Sequence, residues 1–148
     1  INARSETLHE KPSFRESFKN KRCLIPADGF IEWKGKHPHY IRPKNQDLFA
    51  FAGLWSTWDS GDDRLNTYTI ITTEANKTLS PLHSRMPVIL HPYNYEKWLT
   101  AESNTLSPLF APCPDKDLEY FEVSTAVNSP KNNAPDILRP AGQCSFTF

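Results

Sequence analysis

Apolar residues recur along this chain with two periods. Between Pro12 and Lys19 they fall at Phe14 and Phe18, four apart, which predicts a short helix with one apolar face and a proline in its first turn. Elsewhere the period is two, or the run is unbroken. Cys23-Leu24-Ile25-Pro26 reads as a brief strand, and Phe30 to Lys34 as another, with Phe30, Glu32 and Lys34 on one face and Ile31 and Trp33 on the other. Gly35 and Pro38 signal a turn into a third strand around Tyr40–Arg42. Leu48 to Trp55 is continuously apolar and aromatic, as a central strand is. Ser60-Gly61-Asp62-Asp63 is a turn, and Asn66 to Thr72 is rich in β-branched residues. Thr73 to Ser80 reads as a helix with Thr73 as its N-cap, and Val88 to Leu90 as a strand. Tyr93 to Leu99 reads as a helix turning Tyr95, Trp98 and Leu99 inward. Ser107 to Pro114 is broken by prolines, and Leu118 to Thr125 alternates as a strand does. Residues 128–140 are polar and proline-rich, a surface loop, and Cys144 to Phe148 is an edge strand or a frayed end. Strands predominate and their connections are too short for crossover helices. The pattern therefore predicts a mainly antiparallel α+β domain.

Composition narrows this further. At 148 residues the chain is one domain, spanning 1–148, with no internal repeat. Lys+Arg and Asp+Glu both number 17, which excludes a strongly basic or acidic protein and leaves nucleic-acid binding to a local patch. Thirteen prolines against five glycines mark short, sharply bounded segments. Three cysteines, Cys23, Cys113 and Cys144, are widely spaced and odd in number, which suits a reducing compartment better than a disulfide framework. The longest apolar run is too short to span a bilayer, and no basic-then-apolar leader opens the chain. The first residue is Ile1, so the sequence is read as processed, truncated or incomplete at its amino terminus.

Three segments carry candidate chemistry. Asn2-Ala3-Arg4-Ser5-Glu6-Thr7 is either a polar segment with a capping hydroxyl or an anion site, since Arg4, Ser5 and Thr7 can donate together to a phosphate. In Asp28-Gly29-Phe30-Ile31-Glu32-Trp33, Glu32 sits among large apolar neighbours. It is either a surface carboxylate, facing solvent or paired with a cation, or a group suited to acid–base work. In His83-Ser84-Arg85-Met86-Pro87, His83 and Arg85 alternate and share a side on extended backbone. That is either a surface histidine before a strand or a cation and a proton carrier set for a phosphate-bearing substrate. His37, His39 and His91 show no metal-ligand spacing. No Walker loop, dinucleotide turn or nucleophile elbow occurs, so neither metal nor cofactor is expected.

Residues Asn2 to Thr7, then Arg22-Cys23-Leu24-Ile25-Pro26-Ala27-Asp28-Gly29-Phe30-Ile31-Glu32-Trp33, then His83 to Pro87, closely resemble three successive motifs of the SRAP family, the SOS-response-associated peptidases. Phe51-Ala52-Gly53-Leu54-Trp55, Phe121-Glu122-Val123-Ser124 and Val127-Asn128 look like the family too. The resemblance implies a barrel-like sheet with short flanking helices and a sensor of abasic sites in single-stranded DNA. In such proteins an amino-terminal cysteine joins the ring-opened sugar as a thiazolidine. Carried over by motif, Asn2 holds the amino-terminal residue or the sugar, Glu32 is a general acid/base and His83 helps open the sugar ring. Arg4 and Arg85 bind flanking phosphates, with Ser5 and Thr7 as helpers. The chain departs from the pattern in lacking the family's Met-Cys-Gly-Arg start, and Cys23, Cys113 and Cys144 do not match the nucleophile. Cys23 is expected to pack as a small apolar residue. The 148-residue chain is accordingly expected to form no thiazolidine by itself. The resemblance further implies a monomer, no membrane, and a cytoplasmic, nucleoid or nuclear location. The alternatives are a cysteine-dependent peptidase and a non-covalent DNA-binding module.

Overall fold

A computed structural model describes residues 2–45, 48–61 and 63–142. The strands run β1 (Asn2–Arg4), β2 (Arg22–Ala27), β3 (Phe30–Lys34), β4 (His37–Pro43), β5 (Phe49–Asp59), β6 (Arg64–Glu74), β7 (Arg85–Pro87), β8 (Ile89–Leu90) and β9 (Leu118–Glu122). Two helices, α1 (Pro12–Asn20) and α2 (Tyr95–Thr100), and several 3₁₀ turns complete the described chain. One curled sheet has the order β1-β6-β5-β2, with β7 on β6 and β8 on β5; a second has the order β3-β4-β9. Among the described residues every strand pairing is antiparallel except that of β1 with β6, which is parallel. The α+β, mainly antiparallel class expected from the sequence is the class observed.

The large sheet separates two cores, and strand alternation explains why. On β5, Ala52 and Leu54 point to one side and Phe49 and Phe51 to the other. The first side is covered by α1 and α2 through Phe18 and Trp98, with Leu8, Ile71, Leu90 and Leu106. The second is covered by the small sheet through Ile41 and Leu118, with Phe30 and Tyr120 at its margin. Because the first half of β5, Phe49 to Leu54, is buried on both faces, its sequence there is an unbroken apolar run; the second half, from Trp55, is largely exposed.

A single arginine ties the helical layer to the sheet. Arg22, first residue of β2, donates to the carbonyls of Phe18 (2.7 Å) and Lys19 (2.9 Å) at the end of α1. It also donates to those of Trp98 (2.6 Å), Leu99 (3.4 Å) and Ala101 (2.6 Å) at the end of α2. Both helices end with carbonyls that lack intrahelical donors, and the five N–H groups of one guanidinium supply them. Gly29 meets a different demand: a Cβ there would run into the ring of the buried Tyr40. The Asp28-Gly29 pair thus lets β4 cross close behind the β2–β3 connection.

The structure departs from the sequence expectations at several points. Residues 73–80 form no helix. The β-branched run carries β6 on through Glu74, paired with Arg85, and Asn76 then stops it. The Asn76 side chain donates to the Cys113 carbonyl (2.7 Å) and accepts from the Leu79 N–H (2.9 Å), which closes a turn where a helix was expected. Leu99 is 44% exposed, not inward; Trp98 alone of that helix is fully buried. Pro38 lies within β4, which begins at His37, while β9 stops at Glu122 and Thr125 opens a 3₁₀ turn. Residues 128–140 are largely exposed but contain the 3₁₀ turn Pro135–Leu138 and a bridge from Pro140 to Val123. The expected tail strand from Cys144 lies outside the described residues.

Candidate functional site

A cleft of about 200 Å³ opens between the two sheets. Asn2 of β1, Glu32 of β3, His83 and Arg85 all line it, together with Thr72 of β6. Four of the seven residues singled out from sequence, drawn from three separate segments, therefore meet in one place. Its floor is apolar: Phe30 meets Phe51 edge to face, with ring centroids 5.7 Å apart, beside Ile70 and Met86.

Pairing and alternation put the polar groups there. β1 runs beside β6 with Asn2 opposite Ile70, Ala3 opposite Ile71 and Arg4 opposite Thr72. Ala3 and Ile71 are fully buried on the helical side, so Asn2 and Arg4 turn toward the side of Ile70 and Thr72. Arg4 is exposed and does not itself line the cleft, although its strand partner Thr72 does, and among the described residues no carboxylate is paired with it. Glu32 shares its face of β3 with Phe30, whose burial against Phe51 aims that face at the large sheet. Its carboxylate is half-buried, accepts the Trp33 N–H at 3.3 Å and, among the described residues, meets no cation. Trp33 is fixed through its indole N–H to the Asn128 side chain at 2.9 Å.

His83 is held in a way that suits proton transfer. The Arg85 N–H donates to His83 Nδ1 at 3.0 Å, so the neutral ring keeps its proton on Nε2. The Arg85 carbonyl also lies 3.1 Å from Nδ1, so one backbone residue fixes the ring, and Nε2, without a partner among the described residues, stays available to a ligand.

Arg85 itself is engaged. Its Nη1 donates to Glu6 Oε1 (2.6 Å) and its Nη2 to Glu6 Oε2 (2.9 Å) and to the Thr72 carbonyl (2.7 Å). The hydrogen bond from Arg85 pulls the Glu6 carboxyl below its usual range. Arg85 Nε is buried with no partner among the described residues. Ser5 is buried, and the Thr7 hydroxyl donates to the Arg4 carbonyl (3.5 Å), so the structure does not bring these two hydroxyls into the cleft.

Sequence reasoning passed over Glu6, Thr72, Phe30, Phe51 and Ile70. Glu6 lay within a motif already singled out, but nothing local connects it to Arg85. Thr72 and Ile70 become visible only once β1 is known to pair with β6. Neither described cysteine lines the cleft. Cys23 packs partly buried against the sheet, its thiol pushed up by burial. Cys113 is buried with its thiol pushed up to about 11, by desolvation first and Asp117 second. Among the described residues no group of three or more His, Cys, Asp or Glu side chains is placed to hold a metal ion.

Comparison with known proteins accords with this arrangement. Residues 1–130 match the family described as SOS response associated peptidase (SRAP). The chain belongs to the SRAP family. It is 47% identical over 147 residues to the abasic site processing protein YoqW of Bacillus subtilis, covering 93% of this chain and 66% of that protein. It is 37% identical to the abasic site processing protein HMCES of Xenopus tropicalis, covering 93% of this chain and 49% of that protein. A crystal structure of a protein from Bacteroides thetaiotaomicron superposes with a TM-score of 0.87 at 32% identity, over 95% of this chain and 65% of that one. The chain thus spans about two thirds of the length of the bacterial relative and about half that of the vertebrate one.

Proposed function

We propose that the cleft receives the sugar of an abasic site in single-stranded DNA and supports its covalent capture by an amino-terminal cysteine of the complete protein. The observation that carries this reading is the meeting of Asn2, Glu32, His83 and Arg85 around one small cleft with an apolar floor. The names of the relatives, abasic site processing proteins, supply the substrate class. An abasic sugar is mostly a closed hemiacetal, and its reactive aldehyde appears only on ring opening. As the bond from the anomeric carbon to the ring oxygen breaks, His83 passes its Nε2 proton to that oxygen while Glu32 takes the proton of the anomeric hydroxyl, which leaves the open aldehyde. The α-amine then adds to the aldehyde carbon, and water leaves to give an imine. The thiol sulfur adds to the imine carbon while the nitrogen takes a proton, which closes the thiazolidine. Glu32 moves the protons at the amine and the departing hydroxyl, and Asn2 hydrogen-bonds the sugar or the cysteine backbone. Amine and thiol on one residue act at high effective concentration.

Arg4, exposed on the strand that brings Asn2 to the cleft, takes a flanking phosphate. Ser5 and Thr7 serve it indirectly, by shaping the turn that follows β1. Single-stranded DNA is the preferred partner because a sugar must leave a base stack to enter a cleft of about 200 Å³. The protein is placed in the compartment that holds DNA and acts as a monomer. No helix among the described residues is long and apolar enough to cross a membrane. A peptidase reading draws on the family description alone, since neither described cysteine lines the cleft. The test is the intact mass of the complete protein after mixing with an abasic single strand. A species of summed mass less water, absent with an intact strand or a cysteine-to-alanine variant, is expected. No such species, with the cysteine present and reduced, refutes the reading.

A further inference from the structure

Arg85 has five N–H donors, and three are committed: two to the Glu6 carboxylate and one to the Thr72 carbonyl. Among the described residues, the two left over are the second hydrogen of Nη1 and the buried, unpartnered Nε–H. These do not form a fork, because Nε pairs geometrically with Nη2, which Thr72 already holds. A phosphodiester therefore cannot take a two-oxygen grip on Arg85 while Glu6 stays in place. Glu6 also brings a negative charge to within 2.6 Å of the guanidinium, where an incoming anion would lie. The carboxylate is held from one side only: its side chain is 49% exposed, against 19% for Arg85, so it can swing away while the arginine stays.

From this donor count we infer that Glu6 is a specificity-determining residue of the cleft, a built-in competitor that only a phosphodiester offering two oxygens displaces from Arg85. This rests on the reading that the cleft meets DNA backbone. Glu6 and Arg85 form an exchangeable pair: free protein keeps the ion pair, and bound protein exchanges the carboxylate for a phosphate of the same charge and bite. A one-point anion such as chloride gains too little to break a bidentate pair. In the free protein the cationic character beside the cleft accordingly comes from Arg4, and Arg85 contributes only after exchange.

The test compares the wild-type protein with Glu6→Gln, Arg85→Ala and the double variant, in binding to an intact fluorescent single strand across a salt series. Glutamine keeps the shape of Glu6 and removes its charge. Glu6→Gln is expected to bind about fivefold more tightly, the worth of a half-exposed ion pair. Because Arg85 ends on the same phosphate in both proteins, their affinities should fall with salt at nearly the same slope. The gain should vanish in the double variant. Unchanged or weaker binding by Glu6→Gln overturns the inference, because a carboxylate that merely positions Arg85 would be missed. If the wild-type protein binds no strand, the cleft–DNA reading fails separately. Competition between Glu6 and an anion is then read from the Arg85 Hε resonance titrated with dimethyl phosphate and with chloride. A shift greater for the phosphodiester, and enhanced in Glu6→Gln, supports the inference; equal responses overturn it.

Discussion

Replacing Arg22 by methionine should weaken the whole domain, and the structure sets the scale. The guanidinium joins the ends of α1 and α2 through five carbonyls, of which those of Phe18, Trp98 and Ala101 are part-buried. The bonds to Lys19 and Leu99 lie at exposed positions, where water replaces them at small cost. Each part-buried carbonyl left without a donor costs about 1–3 kcal/mol, and partial access to water discounts the sum to about 3–5 kcal/mol. Against the roughly 5–15 kcal/mol of a typical domain this is a large fraction. At about 2–4 °C per kcal/mol for a chain of this size, the melting temperature should fall by about 10 °C. Lysine keeps the charge but reaches only one helix end, so Arg22→Lys should recover about half the loss. Thermal and urea unfolding followed by circular dichroism measure both variants. A fall below about 2 °C for Arg22→Met, or a lysine variant equal to wild type, would refute the claim that one side chain caps both helices.

Two further outcomes follow from titrating groups. Cys113, pushed up to about 11, should be alkylated in the folded protein at pH 8 about a hundredfold more slowly than an ordinary exposed thiol, and at the ordinary rate in urea. Peptide-resolved mass spectrometry of iodoacetamide labelling reads this, and fast native labelling of Cys113 would contradict its burial. Glu6 is lowered from 4.5 by Arg85, so its stabilising contribution is complete above about pH 4.5 and disappears as pH falls through the lower folded value. The stability advantage of wild type over Glu6→Gln should therefore hold from pH 7 to about pH 5 and shrink steadily as pH falls below 4.5, measured by urea unfolding. An advantage that stays constant on acidification below pH 4.5 would place its origin in packing instead.

Local pattern revealed the strands well because one side of each is buried. The unbroken apolar run from Phe49 to Leu54 reports burial directly, whereas burial along Phe30 to Lys34 fades toward the strand end instead of alternating. Where a tertiary hydrogen bond decides the local conformation, pattern fails. Thr73 to Ser80 has the composition of a capped helix, but Asn76 bonded to a carbonyl 37 positions away makes it a turn. Leu99 was misplaced because the short helix α2 offers the core little more than Trp98. At the site, the motifs gave the residue types but not their pairing. The parallel β1–β6 contact turns Asn2 and Arg4 toward the cleft and buries Ser5 just beyond it. The bond between Glu6 and Arg85 spans 79 positions, beyond the reach of any local signal, and it changes the part Arg85 can play.

The central claim is that Glu32 and His83 move protons for a sugar seated between them, and single-turnover kinetics of adduct formation test it most directly. The complete protein, Glu32→Gln and His83→Gln are each mixed with an abasic single strand and quenched for intact mass. Both variants should form adduct about 10²-fold or more slowly, the usual contribution of one positioned acid or base, while binding an intact strand about as tightly as wild type. Adduct rates equal to wild type in both variants would contradict the account.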